Sequence, residues 1–326
     1  MSRRILGFAA AAVLSASPVS AQTYVTIAIP GAAFTVATGI NASGFVAGYY
    51  EGIHGFVRAP DGTIATFDPV GSRDTLPVGV DRNGTVVGNY VDFALDNHGF
   101  IRTSDGAITT FDPRHSIFTF VTQANGKTLG YLSKRDRTYG FLRLRRGRTQ
   151  EFICHGAEEL FPFGMNSLNV ITGSFHHRTR HHHPNEHGFI RSPDGSCASL
   201  DAPGAVQTIP DGIDDDGTIA GYYTEVKQGP QHGFVRGADG TFSLFDVSGA
   251  LQTAPAAINQ AGTVIGTYMD AARATHAFLR GADGTLTPYD APGATSTNAL
   301  AINDNGVIVG SYDTTSGVTY AYIRSP

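Results

Sequence analysis

The chain has 326 residues, 41% of them hydrophobic and 16% charged, with 40 glycines and a formal net charge of -5. That composition is globular rather than disordered, and its surplus of turn-forming residues over an adequate apolar fraction points to many short strands. The acidic balance disfavours a general polyanion-binding role.

At the start of the chain, Arg3 and Arg4 precede the apolar run "ILGFAAAAVLSA", and "VSA" ending at Ala21 supplies the small residues a signal peptidase needs. The run falls short of the roughly 20 apolar residues that span a bilayer, and no later segment reaches that length. An export signal is expected over 1–21, with a secreted or periplasmic mature chain, no membrane span in it, and no nucleic acid as natural partner. Loss of Arg3 and Arg4 takes the formal charge from -5 to -7.

The segment that follows, "YVTIAIPGA" from Tyr24, resembles "CASLDAPGA" from Cys197, which reads as a strand and loop closing a repeat unit. The repeat is explicit from His54 onward. "HGFVRAPDGTIATFD" recurs at His98, His187 and His232, with shorter forms at Tyr139 ("YGFLR"), His276 ("HAFLR") and Tyr320 ("YAYIR"). The spacings are 44, 41, 48, 45, 44 and 44 residues. A period near 44 with apolar alternation and no helical pattern lies in the range of propeller blades of four short strands each. In the second unit these strands read "LPVGV", "TVVGNYV", "HGFIRT" and "AITTF".

The turns recur with the strands. Asn or Asp stands three residues before Gly at Asn41/Gly44, Asp81/Gly84, Asp214/Gly217, Asn259/Gly262 and Asn303/Gly306, as a β-turn with a side-chain acceptor requires. Asp-Gly at 61–62, 105–106, 194–195, 239–240 and 283–284 predicts a second, two-residue hairpin turn with both residues at positive φ. The "DDDG" turn at 214–217 lacks the alternating oxygen ligands and later bidentate acid of a calcium loop. Because the last unit stops at "YAYIRSP", its missing fourth strand is expected from the front of the chain, which would remove a sheet edge. The predicted fold is all-β: residues 22–326 as one seven-bladed β-propeller domain, closed by the N-terminal strand completing the last blade.

His276-Ala277-Phe278 and its His-Gly-Phe variants resemble the repeat that names the HAF family of extracellular repeat proteins. The resemblance spans the mature chain, with Tyr139 and Tyr320 departing from it, and implies export and repetition without a transferable catalytic or ligand motif.

Once-per-blade residues are expected to be structural. The five repeat histidines and the seven arginines Arg58, Arg102, Arg143, Arg191, Arg236, Arg280 and Arg324 are assigned to strand ends, satisfying backbone carbonyls or Asp68, Asp112, Asp201, Asp246 and Asp290. Candidate sites lie where the repeat breaks, in units three and four, which lack the threonine of Thr35, Thr75, Thr208, Thr253 and Thr297. One is the basic run "KRDRTYGFLRLRRGR", whose Lys134, Arg135, Arg137, Arg145, Arg146 and Arg148 form a candidate anion-binding set. Another is "FHHRTRHHHPNEHGF", in which His176, His177, His181, His182 and His183 are candidate ligands for Zn²⁺ or Cu²⁺, with Glu186 as an oxygen donor. No other cofactor is expected.

Cys154 and Cys197 permit a disulfide in an exported chain without establishing one. Cys154 beside His155 also allows a Cys/His nucleophile if the segment is a loop. No Gly-x-Ser-x-Gly elbow or phosphate loop is present. Two functions follow: a monomeric scaffold that binds an extracellular or cell-envelope glycan or protein, or a lyase or hydrolase of extracellular polymers with its site at the central channel mouth. A structural envelope component with no small ligand is a third.

Overall fold

The computed structural model describes residues 22–111, 117–122, 126–134, 137–144, 147–154, 156–177 and 185–326, with only the backbone described over 117–122. Among them it contains 28 β-strands and no helix. Four sheets have four strands each, and twelve further strands form three such groups joined by single parallel pairings, Thr138 with Glu159 and Glu186 with Gln207. Strands follow one another antiparallel within a unit, as in Thr35–Ile40, Val46–Tyr50, His54–Arg58 and Ile64–Phe67. The exception is the last sheet, where Thr23–Ile27 pairs antiparallel with Thr319–Ser325, beside Ile308–Thr314 and Ala294–Ile302.

The first strand of each unit lies against the first strand of the next, and Ala294–Ile302 in turn lies against Thr35–Ile40. A bulge interrupts every one of these first strands, shifting the register at Thr38, Val78, Phe120, Phe163, Asp211, Ala256 and Leu300. Bulges re-aim side chains and increase twist. Neighbouring units are also tied through the first hairpins. Asn41 Nδ2 donates to the Asp81 carbonyl, Asn166 to Asp214, Asn259 to Asn303 at 3.1 Å, and Asn303 back to Asn41 at 2.9 Å.

The core sits between the sheets. The third-strand residues Phe56, Phe100, Phe141, Phe189, Phe234, Phe278 and Tyr322 are all at most 1% exposed, each worth about 1.5–3 kcal/mol of burial. Their rings explain the preceding strand's glycine. A Cβ on Gly48 would stand 2.7 Å from the Phe56 ring and 2.1 Å from the Val36 carbonyl oxygen.

The second hairpin differs from its expected geometry. Only Gly62 of the Asp61-Gly62 pair has positive φ, at 95°. Gly62 N–H donates to the Ala59 carbonyl at 3.0 Å and Ala59 N–H to that of Thr63 at 2.8 Å. This is a type I turn followed by a glycine bulge, a three-residue connection in which only the last position needs the left-handed region.

Candidate functional site

The once-per-unit residues form a clasp. His54 Nδ1 lies 2.8 Å from Asp68 Oδ2, and His187, His232 and His276 meet Asp201, Asp246 and Asp290 in the same way at 3.0, 2.8 and 2.8 Å. An ionised carboxylate only accepts, so Nδ1 carries the proton. Asp68 also accepts from Thr75 Oγ1 at 2.6 Å, across the junction to the next unit. His98 meets Asp92 at 3.2 Å, while Asp112 lies outside the described residues. Each aspartate stands 14 positions after its histidine, and that position is Ile153 for Tyr139. Histidine and carboxylate are thus lost together, as a structural pair requires.

The arginines do more than cap carbonyls. The guanidinium of Arg102 lies 5.0 Å from the centre of the Phe67 ring of the preceding unit, and Arg143, Arg191, Arg280 and Arg324 cover Phe111, Phe152, Phe245 and Tyr289 at 4.6–4.9 Å. Such cation–π contacts are worth about 0.5–2 kcal/mol each.

Of the basic run, Arg135, Arg145 and Arg146 lie outside the described residues. Lys134 is ion-paired with Glu151. Arg137 and Arg148 are exposed at opposite ends of the strand Arg137–Arg143 and its hairpin, so the structure does not bring them together. In the His-rich segment, His181, His182 and His183 also lie outside the described residues. His176 Nδ1 is 2.9 Å from Glu159, and its Nε2 is 3.7 Å from Glu186. His177 Nδ1 lies 2.5 Å from the Gly156 carbonyl. Among the described residues, no three His, Cys, Asp or Glu side chains are grouped to hold a metal ion.

Cys154 and Cys197 form a disulfide, with Cα atoms 5.7 Å apart. A sulfur in that bond is no nucleophile, so the Cys154/His155 reading is overturned; His155 itself lies outside the described residues.

The chemistry converges elsewhere, between units four, five and six. A cleft of about 160 Å³ is lined by Glu186, Gln207, Tyr222, Gln228, Gln231 and Gln252, with Ile209 and Thr224 between them. Glu186 precedes the repeat histidine of unit four and is set by its pairing with Gln207, which opens the first strand of unit five. Glu186 Oε1 accepts from Ser174 Oγ at 2.6 Å. Burial pushes the Glu186 carboxyl up, but hydrogen bonding from His176 and Ser174 and the His176 charge outweigh it, so it titrates below its ordinary value. The Glu186 hydrogen bond, with further help from Glu159, holds His176 above the usual imidazole range against the opposing effect of burial.

Asp211 is the bulge residue of unit five, at a position where the other described side chains, Thr38, Val78, Phe163, Ala256 and Leu300, carry no charge. Its Oδ2 is sealed from solvent and has no hydrogen-bond partner. Burial, and secondarily the negative charge of Glu186, push this carboxyl well above its ordinary value. Burial also drives the Tyr222 phenol far up, helped by the charges of Asp211 and Glu186. The sequence reading named Glu186 only as a metal ligand and passed over Asp211, Tyr222 and the glutamines. The signal was there: aligned on the repeat, Asp211 is the one carboxylate in its column.

A raised carboxyl value means that the folded state binds the proton more tightly than the unfolded chain, so Asp211 costs stability increasingly as pH climbs from about 4 toward its folded value. Asp211→Asn is expected to raise the unfolding free energy at pH 8 by on the order of 1–3 kcal/mol, and the melting temperature with it, with the gain shrinking toward pH 4. Melting curves across that range check it; a gain that does not shrink on acidification would contradict the assignment.

The architecture is similar to virginiamycin B lyase from Staphylococcus aureus, with a TM-score of 0.64 at 11% identity over 94% of this chain and 99% of that one. A streptogramin B lyase gives 0.63 at 14% identity over 93% and 97%, and TolB from Acinetobacter baumannii 0.50 at 12% over 86% and 76%. The fold is β-propeller-like. At these identities the likeness concerns the fold alone. No family model and no curated protein sequence matches the chain. Among the described residues, no helix is long and apolar enough to cross a membrane.

Proposed function

We propose that this protein is an exported, closed seven-bladed propeller of the HAF-repeat kind that binds a neutral, hydroxyl-rich ligand of glycan type in the glutamine-lined cleft. The observation that carries the reading is the convergence of Gln207, Gln228, Gln231 and Gln252 with Tyr222 and Glu186. A glutamine amide donates and accepts, as a sugar hydroxyl does. Among the described residues, no Lys, Arg or His lines the cleft, and Glu186 repels an anionic ligand. Its volume of about 160 Å³ lies below the roughly 300–1,000 Å³ of drug-sized pockets and suits a single sugar ring. The ring reading is supported by Ala294–Ile302 lying against Thr35–Ile40 and by the Asn303 to Asn41 hydrogen bond. Export is supported by the disulfide, a bond of oxidising compartments.

The test is a glycan array on residues 22–326, followed by calorimetry on its hits with wild type and the Gln207→Ala/Gln231→Ala double variant. Neutral glycans are expected to bind and the variant to lose at least about tenfold, or 1.4 kcal/mol. Undiminished binding by the variant would remove the cleft from the account.

One observation favours a second reading, an enzyme acting at this cleft: a carboxylate, Glu186, lines it and is held below its ordinary value by His176 and Ser174, as a general base requires. Release of new reducing ends or unsaturated products from a bound glycan, abolished by Glu186→Gln, would establish it.

A further inference from the structure

Beside the cleft lies a second hollow of about 50 Å³, too small for a sugar ring. On the cleft side it is bounded by Gln231 and Gln252, which line both spaces. Thr253 N–H donates to the Gln231 carbonyl at 2.7 Å, holding the two glutamines side by side. The rest of the lining comes from unit six, where Ala254, Tyr268 and Met269 make it mostly apolar and Thr267 and Thr275 complete it.

One small residue opens this space. Ala254 pairs with Thr267, and Gln252 with Met269, across the first two strands of unit six. Residues two apart in a strand share a face of the sheet, so these four side chains lie together. At the position of Ala254 the other units carry Val36, Leu76, Phe118, Phe161, Ile209 and Asn298, all of them larger. Met269, unbranched and adaptable, adds an apolar surface to the room that alanine leaves. The hollow thus has an apolar interior behind a mouth of two amides.

We infer that the hollow receives the acetamido group of an N-acetylated sugar whose ring sits in the cleft. The inference rests on the reading of the cleft as a glycan site. The space exceeds the roughly 10–15 Å³ that one water needs, so it takes a few non-hydrogen atoms and no ring. The two ends of an acetamido group match its two surfaces. The N–H and carbonyl pair with glutamine amides, which accept and donate, and the methyl leaves water for contact with Ala254 and Met269. A hydroxyl on the same sugar carbon reaches the glutamines but gains nothing from the apolar interior. The hollow is therefore a specificity element that selects N-acetylated sugars over their hydroxyl parents.

Calorimetry on residues 22–326 tests this with three matched pairs: glucose and N-acetylglucosamine, galactose and N-acetylgalactosamine, mannose and N-acetylmannosamine. In a pair that binds, the N-acetylated member is expected to bind at least about tenfold tighter. Replacing its acetyl by benzoyl, which is too bulky for the hollow, should abolish the gain in wild type. Ala254→Leu and Ala254→Ile install the residues that units two and five carry at this position, fill the hollow, and should bind both members of the pair alike. Equal affinity within the pairs for wild type overturns the acetamido assignment and leaves the glycan reading standing. A preference that survives the benzoyl replacement, or survives both filled variants, lies outside this hollow and overturns the assignment as well. Failure of all six sugars to bind overturns the glycan reading and the assignment together.

Discussion

Removing residues 23–27 is expected to cost on the order of 5 kcal/mol and to make the protein aggregate. Thr23–Ile27 pairs with Thr319–Ser325 over five residues, from Thr23 opposite Ser325 to Ile27 opposite Ala321. Ile27 is 2% exposed and belongs to a cluster with Val46, Phe56 and Val309, so its loss opens the junction between the first and last units. Burial of that side chain alone contributes about 1.5–3 kcal/mol. The Thr26 to Tyr312 hydroxyl contact at 3.0 Å and the packing of Tyr24 on Tyr322 go with it, and buried hydrogen bonds left unmade cost about 1–3 kcal/mol. The strand Thr319–Ser325 is left as a bare edge, a template for pairing with another chain. Calorimetric melts and light scattering of residues 22–326 against 28–326 check this, with a synthetic peptide of residues 22–32 as rescue. Equal melting temperatures would sink the closure argument.

What could be read from the sequence, and what could not, divides along one physical line. Features tied to the repeat were visible because they recur: the Asn41 series as turn acceptors, and the fourth strand of the last unit supplied from Thr23–Ile27. The histidine clasp was partly visible, since Asp68 and its counterparts were named as partners for either the histidines or the arginines. Geometry gave the carboxylates to histidine and laid the guanidinium of Arg102 over Phe67. That contact crosses between units, and a linear reading of one unit does not reveal which ring lies behind it.

The site was the least legible part, for a related reason. Histidine and arginine runs attracted attention by composition, yet Arg137 and Arg148 stand at opposite ends of a strand, and His176 is engaged by Glu159 and Glu186. Glu186, Gln207, Tyr222 and Gln252 stand at fixed repeat positions in three different units. They converge only once inter-unit register is known. Asp211 belongs with them: among the described residues, the other buried side-chain atoms without a partner are Nε of the repeat arginines Arg102, Arg280 and Arg324, and Asp211 Oδ2 alone belongs to a residue outside the repeat pattern, a local rule broken as at residues retained for function.

The second large effect is expected from the disulfide, and the repeat itself explains why it is where it is. At the junction of units one and two, His54, Asp68 and Thr75 form the polar clasp. At the same positions between units three and four stand Tyr139, Ile153 and Leu160, none of which can make those bonds. Cys154 follows Ile153 directly, is 5% exposed among Leu129, Phe152, Leu160 and Phe175, and bonds to Cys197 on the fourth strand of unit four. A covalent link thus stands at a junction that lacks the clasp. With the cysteines 43 positions apart in sequence, the chain-entropy relation gives about 4 kcal/mol, or roughly 6 °C in melting temperature for a chain of this size. Cys154→Ser/Cys197→Ser should show that loss, and reductant should lower the wild type to the same value. Installing the clasp in the double serine variant, with Tyr139→His, Ile153→Asp and Leu160→Thr, should recover part of it. A double variant that melts within about 1 kcal/mol of wild type, below the typical 2–4 kcal/mol of a disulfide, would show that the apolar cluster alone holds this junction.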